Sequence, residues 1–369
     1  MTASAAESRW EGPQKNFADL LREVCDEERC TYCLVCLDAC SREGCDAATI
    51  EGDIFHYTPS NCLGHGICYV SCPEVRSLDI ALENLYRTKE SRIGHVDRAV
   101  SAMSADWSVR SKIHDGGIIP SILKCLFDRG EIDAAVVPAL ANVSPSGLLL
   151  ASQGEEAITS TGYRFKKPAT IRFLRDLYRS REKPLRLALV ANSCQTHMVR
   201  KMQLNNIPPS RDIKLIIGEF CYATLSNARW RRSFFERALG AAGRLIRSVE
   251  VTDEVKTVFH DGSESRVDLD SLYLAFDSSC ISCLDYSNTL ADISVGPTGS
   301  PEGFETLLVR TNEGGKAYDG ALKEGYLMEW TSLFKGEDEE AFRENLLETM
   351  VERAMAKERL FIKRGRARA

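Results

Sequence analysis

Two runs of closely spaced cysteines, alternating helix and strand patterns after Ser111, and a helical tail predict a mixed fold of the α+β / α/β class. The expected layout begins with an arm over 1–21 and a two-cluster ferredoxin-like module over 22–85. A linker over 86–110 leads to an α/β domain over 111–330, and a helix with a basic tail closes the chain over 331–369. A length of 369 residues is enough for two or three domains that each bury a core.

The arm is polar and alanine-rich. The first cysteine run follows it as Cys30-Thr31-Tyr32-Cys33-Leu34-Val35-Cys36-Leu37-Asp38-Ala39-Cys40. The second runs Cys62-Leu63-Gly64-His65-Gly66-Ile67-Cys68-Tyr69-Val70-Ser71-Cys72-Pro73. In a two-cluster ferredoxin the first three ligands of a run hold one 4Fe–4S cube and the fourth crosses to the other. The spacing therefore predicts one cluster on Cys30, Cys33, Cys36 and Cys72, and a second on Cys62, Cys68 and Cys40 with His65 at the remaining position. His65 stands where a cysteine is usual, and three readings stay open: imidazole ligation, Cys45 as a substitute, or an incomplete cluster. Structural zinc fits less well, because zinc sites pair two knuckles and three thiols at successive two-residue gaps wrap a cube corner.

Arg87 to Arg110 is charged and weakly periodic, which reads as a connection. Ile119, Ile122, Leu123 and Leu126 then share one helical face, and Gly130 is a helix stop. Ile132–Val137 reads as a buried strand, Ile171 to Tyr178 as a helix, Leu185–Val190 and Ile213–Ile217 as further strands, and Phe234–Leu239 as a helix. Asp261-Gly262 between alternating apolar residues signals a hairpin. Strands follow at Leu272–Phe276, Ile293–Val295 and Leu307–Arg310, and Phe342, Leu346, Met350 and Ala354 fall at helical spacing in the tail.

Five of the 14 cysteines lie beyond the segment from Cys25 to Cys72. Cys125, on an apolar helix, reads as a small buried hydrophobe. Cys194 and Cys221 each follow a core strand, and Cys280 and Cys283 form a C-x2-C pair after the strand expected at Leu272–Phe276. Loops at the carboxyl ends of strands in an α/β sheet converge on one crevice, so these four thiols predict a third cluster site. The bland rival is two unrelated buried cysteines beside an exposed pair. Asp115-Gly116-Gly117 before a helix offers bare amides to a phosphate. No Walker A, G-x-G-x-x-G, H-E-x-x-H or G-x-S-x-G run is present.

A net charge of −6 argues against bulk nucleic-acid affinity. No apolar stretch follows Met1 and none approaches a membrane span, so the expectation is a cytoplasmic protein without a transmembrane segment, with peripheral attachment to a membrane complex left open. Cysteines at metal spacings without a signal read as cluster ligands in a reducing compartment.

Several stretches in order resemble the family of coenzyme F420 hydrogenase/dehydrogenase β-subunits, over roughly residues 20 to 330. They are Asp115-Gly116-Gly117-Ile118-Ile119, Gly130-Glu131-Ile132-Asp133-Ala134-Ala135-Val136-Val137, Ser193-Cys194-Gln195, Gly218-Glu219-Phe220-Cys221, Cys280-Ile281-Ser282-Cys283-Leu284-Asp285, and Ala291-Asp292-Ile293-Ser294-Val295-Gly296 followed by Val309-Arg310-Thr311. The resemblance implies that the α/β domain binds FAD, with a 4Fe–4S cluster near the flavin on Cys194, Cys221, Cys280 and Cys283. It also places Gly116, Gly117 and Ser121 at the flavin. Gly162, Arg164 and Lys166, in Thr161-Gly162-Tyr163-Arg164-Phe165-Lys166, become candidate contacts to flavin or substrate phosphate. The chain departs from the family pattern at His65, at Ser41 and Ser193, where prolines are usual, and in lacking a Ser-Lys pair near Gly162.

The implied function is an oxidoreductase subunit that exchanges a hydride with coenzyme F420 through FAD. It would pass single electrons through two to three 4Fe–4S clusters to a redox partner in a heteromeric complex. The alternatives are the same cofactors serving another donor or substrate, or an electron-transfer subunit without F420. No acid–base residue is assigned.

Overall fold

The structure, a computed structural model, describes residues 15–366 apart from 28, 31, 43, 53, 73, 114–115, 140–146, 160–169, 225–236, 241–243, 245, 252–253, 260, 269–270, 273–274, 278–279, 281–282 and 334–337. Strands are numbered in chain order, as are helices of eight residues or more.

The module opens on a short helix, Phe17–Leu20, capped by Asn16. Phe17 and Leu20 are buried against Cys36, Cys68 and Cys72, so the end of the expected arm belongs to the module core. Helix α1 (Val35–Arg42) carries the end of the first cysteine run. An antiparallel hairpin of β1 (Ala48–Glu51) and β2 (Ile54–Tyr57) separates the two runs. The second run enters a single turn, Ile67–Val70, and α2 (Asp79–Tyr86) closes the module.

The segment expected as a linker instead contains β3 (Arg98–Ser104), an inner strand of the main sheet. Its alternation is masked because small residues fill it; Ala99, Ser101, Ala102 and Ser104 are all buried. The main sheet adds β4 (Ala134–Pro138), β5 (Leu148–Ala151), β6 (Leu187–Ala191), β7 (Ile213–Glu219), β11 (Ile293–Gly296), β12 (Glu305–Val309) and β13 (Leu327–Glu329). It is eight-stranded, in the order β13-β3-β12-β11-β7-β6-β4-β5. Strands β4, β6, β7 and β11 are parallel, and the outer strands pair antiparallel.

The parallel strands are apolar throughout because both faces are covered. Ala135, Val137, Ala188 and Val190 meet α3 (Ile118–Asp128) and α6 (Asn312–Lys323) through Ile122, Leu126, Tyr318 and Ala321. On the opposite face, Ala134, Val136, Leu187 and Leu189 meet α4 (Thr170–Ser180) and α5 (Ser193–Leu204) through Ile171, Leu174, Met198 and Met202. Val35 and Ala39 of α1 join that second layer, which docks the module on the domain.

A smaller antiparallel sheet, β10-β9-β8, is built from β8 (Ile246–Val251), β9 (Glu254–Phe259) and β10 (Glu264–Asp268), with the expected hairpin at Asp261-Gly262. The strand expected over Leu272–Phe276 is absent among its described residues; 271–272 form a helical turn and Phe276 makes a single bridge. Of the helix expected at Phe234–Leu239, residues 234–236 lie outside the described residues and 237–238 are helical. The tail forms α7 (Glu339–Arg366). Leu346, Met350 and Ala354 pack it on Val255, Phe259, Phe276 and Tyr286. Full burial of a Leu or Met side chain stabilises by roughly 1.5–3 kcal/mol, which offsets the desolvation of a cation on the same face of the helix.

Candidate functional site

Four thiols from separate loops meet where strands β6 and β7 end. Cys194 sits in the first turn of α5, directly after β6, and Cys221 lies two residues beyond β7. Cys283 N–H donates to Cys280 O at 3.2 Å, so the C-x2-C pair forms one tight turn. Together with Ser193, Tyr222, Ala223, Thr224 and Lys357 the four cysteines line one small pocket.

The loops are pinned by backbone and buried polar side chains. Cys221 N–H donates to Tyr286 O at 2.8 Å, and Asp277 N–H to Thr224 O at 2.8 Å. Asn288 donates its amide to Ala191 O at 2.8 Å, joining the end of β6 to the loop after Cys283. Gly218 is required for that approach, since a Cβ there would lie 2.4 Å from the Asn288 side chain. Ser193 uses its hydroxyl to reach Asp285 O at 3.1 Å, a bond that the family's usual proline could not make. Buried Arg310 donates to Ser294 Oγ and to the carbonyls of Ile93, His95 and Ser287.

Lys357 on α7 is 1 % exposed. Its Nζ donates to Cys221 O at 2.9 Å and Asp285 O at 2.8 Å, and stands 3.9 Å from Cys283 Sγ. Among the described residues no carboxylate lies within ion-pair distance of it. Burial opposes its charge, but the Cys283 and Cys221 sulfurs together with the more distant Asp285 carboxylate outweigh burial and its pKa is raised. Burial pushes the Cys221 thiol well up, the neighbouring cysteines add to that, and Lys357 acts against it.

The module gathers its own thiols. Cys36 is buried and feels Cys33, Cys72 and Cys30, so the four residues expected at the first cluster share one space. Cys25 contacts the Cys30 thiol as an additional sulfur. Tyr32 N–H donates to Cys30 Sγ at 3.4 Å, and Thr224 N–H does the same to Cys280 Sγ at 3.4 Å in the other site. Such N–H···S bonds stabilise electron-rich sulfur. Lys201 of α5, fully buried, donates to Cys72 O at 3.2 Å and Val75 O at 2.6 Å, and pairs with Asp79 at 2.9 Å. At the second site Cys68 is pushed up to about 12 by burial and by Cys40, with Cys62 also near. His65 Nδ1 accepts from Ile67 N–H at 3.4 Å, while its Nε2 is buried with no partner among the described residues.

Among the described residues no three His, Cys, Asp or Glu side chains converge on a single ion. A cube of four irons presents separated corners, so its ligands need only surround a common space. Four thiols around one pocket, with an amide donor to sulfur and a buried cation to offset thiolate charge, suit that group.

The expected flavin contacts fare differently. Ile118 N–H at the start of α3 donates to Glu305 Oε2 at 3.1 Å, so the anion at that helix start is a buried carboxylate of the chain. Gly117 has φ +78 and is closely packed by Ile113, Val109 and Ser104, and Ser121 Oγ donates to Ser104 Oγ at 2.7 Å. A Cβ at Gly116 would lie 3.1 Å from Glu305 Cγ, so the glycine leaves room for that side chain. Asp115, Gly162, Arg164 and Lys166 lie outside the described residues. Cys125 is fully buried in the core, as expected of a small hydrophobe.

Lys357, Lys201 and Glu305 are not signalled by any motif. The lysines could have been found by spacing: Lys357 continues the stripe of Leu346, Met350 and Ala354, and Lys201 follows Cys194 and Met198 on one face.

Residues 99–172 match the family described as "Coenzyme F420 hydrogenase/dehydrogenase, beta subunit N-term", and residues 185–331 its C-terminal counterpart. One of the subunits of the F(420)H(2) dehydrogenase of Methanosarcina mazei is 30% identical over 242 residues, 65% of this chain and 67% of that protein. The coenzyme F420-dependent sulfite reductase of Methanocaldococcus jannaschii is 27% identical over 330 residues, covering 84% of this chain and 48% of the reductase. A chain from the F420-reducing [NiFe] hydrogenase complex of Methanosarcina barkeri superposes with a TM-score of 0.61 at 25% identity, over 72% of this chain and 92% of that one. No helix among the described residues is long and apolar enough to cross a membrane.

Proposed function

The chain belongs to the family of coenzyme F420 hydrogenase/dehydrogenase β-subunits, and from that premise we propose that it is an iron–sulfur flavoprotein subunit linking coenzyme F420 to a partner redox protein. The observation that carries this reading is the convergence of Cys194, Cys221, Cys280 and Cys283 on one pocket beside the ends of β6 and β7. The relatives named for F420-linked dehydrogenase, hydrogenase and sulfite reductase support an F420-linked redox role in a complex.

When bound, a flavin supplies the conversion between a two-electron hydride and single electrons, and the clusters supply one-electron storage. The chain's own residues hold and shape these places. Cys194, Cys221, Cys280 and Cys283 would ligate a cluster in the α/β domain, and Cys30, Cys33, Cys36 and Cys72 one in the module. Cys40, Cys62 and Cys68 would hold another, with His65 or Cys45 completing it. Gly116, Gly117, Ser121, Gly162, Arg164 and Lys166 remain the proposed flavin contacts, with Glu305 the group that a phosphate at the start of α3 must displace. Tyr222, Ala223 and Thr224 wall the cavity from water, and Lys357 holds positive charge against its thiolates. Helix α5 spans from Cys194 to Lys201 at the Cys72 carbonyl, a rise of about 10 Å, so one rigid element fixes the domain site relative to the module.

Anaerobic isolation with iron, sulfide and flavin quantitation, followed by F420H2 oxidation with a viologen acceptor, tests the proposal. Iron, flavin and turnover are expected together. A flavin-loaded protein that does not oxidise F420H2 rejects the F420 assignment, and a colourless or zinc-bound one rejects the cluster assignment as well.

A further inference from the structure

Cys45 stands outside both cysteine runs, and its sulfur touches that of Cys40, the last cysteine of the first run. We propose that Cys40 and Cys45 are a redox-active dithiol, a site where peroxide closes a reversible disulfide, and that the closed bond withholds Cys40 from the second module cluster. The consequence for the cluster rests on the reading of the module as a cubane holder; the dithiol itself does not.

After α1 the chain doubles back at Gly44, whose φ is +72, and Cys45 N–H donates to Cys40 O at 3.2 Å. A disulfide tolerates only a narrow range of Cα separation, and this turn draws the two backbones together as that range demands. The sulfurs stand 3.1 Å apart, and both residues are free cysteines only 2 % exposed. The corners of a cubane are separated, so two sulfurs this close do not serve one cube together. A further approach of about 1 Å brings them to bonding distance. Ala47, Ala48 and Tyr57 pack around the pair and hold it in place. Half-buried Cys62 borders it, and Cys45 Sγ lies 3.5 Å from the carbonyl of exposed Asn61, so the pair sits just beneath the surface. That position suits a small oxidant such as hydrogen peroxide and shuts out a protein one.

The chemistry balances on the pair and one peroxide. One sulfur attacks a peroxide oxygen, the O–O bond breaks, and a sulfenic acid and a first water result. The neighbouring sulfur displaces the sulfenic hydroxyl, which forms the S–S bond and releases a second water. Both thiol protons leave in the waters, and two electrons pass from sulfur to peroxide. A dithiol reductant reverses the bond by exchange and is itself oxidised to a disulfide.

The test isolates the full chain anaerobically as wild type and C45A, exposes each to hydrogen peroxide, quenches with acid and alkylates. Trypsin cuts after Arg42 and Asp-N before Asp38 and Asp46, so a Cys40–Cys45 bond appears as residues 38–42 linked to 43–45. Expected are equal iron in the two proteins before peroxide, the linked peptide in treated wild type, and its release by dithiothreitol. Treated wild type that carries the link should lack one cubane's iron. The proposal is overturned if no link forms, if the link coexists with full iron, or if a folded C45A lacks one cubane's iron from the start. Should C45A fail to fold, the wild-type peptide and iron decide alone. Wild type isolated without iron rejects the cubane reading, while the linked peptide still tests the dithiol.

Discussion

Two thiol sites in this molecule are each closed by a buried lysine from another element, yet the two lysines differ in what balances them. Lys201 reaches from α5 to the Cys72 carbonyl and has Asp79 at 2.9 Å as counter-ion. Lys357 reaches from α7 to the Cys221 carbonyl, and its anionic neighbour is Cys283 Sγ at 3.9 Å. Burial lowers the Lys201 pKa, whereas the thiolates raise that of Lys357. The difference teaches that one lysine is a strut between module and domain, its charge spent on Asp79, and the other a cation presented to the domain site.

The largest effect expected is on the sites themselves. Cys280→Ser should remove the iron of the α/β cavity and leave the iron of the module, because no ligand is shared between them. Iron quantitation with EPR of the reduced protein checks this, and loss of all iron would show that the two sites assemble as one unit. Next comes Lys201→Met, which leaves the Cys72 and Val75 carbonyls without their donor and Asp79 with His197 alone. Removing one partner of a buried pair costs about 3–5 kcal/mol, and since His197 still holds Asp79, denaturant unfolding should show a loss of about 3 kcal/mol, with the potential of the domain cluster unchanged. Lys357→Met should cost less, about 1–3 kcal/mol for two buried carbonyls left without a donor. It should lower the potential of the domain cluster by about 50–100 mV, the equivalent of roughly 1–2 kcal/mol for one unit charge at short range. If Lys201→Met moves that potential as far as Lys357→Met does, the distinction between strut and cation fails.

The contrast also explains what is legible in the sequence. The module's ligands lie within a few residues of each other, so spacing alone groups them. The domain's ligands are grouped by sheet topology, and the sequence marks them only as cysteines after Leu185–Val190 and Ile213–Ile217. Those two strands are readable because both faces are apolar. Strand β3 is not, since Ala99, Ser101 and Ala102 give a small-residue pattern that mimics a connection. The segment at Leu272–Phe276 has strand-like residues, but tertiary packing turns it toward Thr224. The helix start at Gly117 does favour an anion, as its bare amides require, but the anion is Glu305, brought from β12 by the sheet order and invisible to local pattern. Spacing alone makes Cys45 no more than a substitute ligand, because the turn that brings it to Cys40 depends on Gly44.

The smallest effect belongs at the opposite end of the sheet, where it serves as a control for the comparison. Asp133, just before β4, accepts from Arg186 N at 2.7 Å and Nη2 at 2.6 Å, just before β6, and thereby ties the amino ends of two parallel strands, of which β6 leads at its far end to the thiol site. The Arg186 side chain holds the Asp133 carboxyl down to about 2. A depressed carboxyl contributes stability that is present above its ordinary value near 3.8 and is lost as the pH falls toward about 2. Asp133→Asn should therefore produce a small drop in Tm, as exposed ion pairs do. The drop should be equal at pH 5 and pH 8, since the carboxylate is ionised in folded and unfolded chains alike over that range. Iron content and all cluster potentials should stay at wild-type values. A deficit that grows between pH 5 and pH 8, or a shifted domain potential, would mean that strain at the amino ends of β4 and β6 reaches Cys194 along the strand, and that Lys357 does not set the character of the cavity by itself.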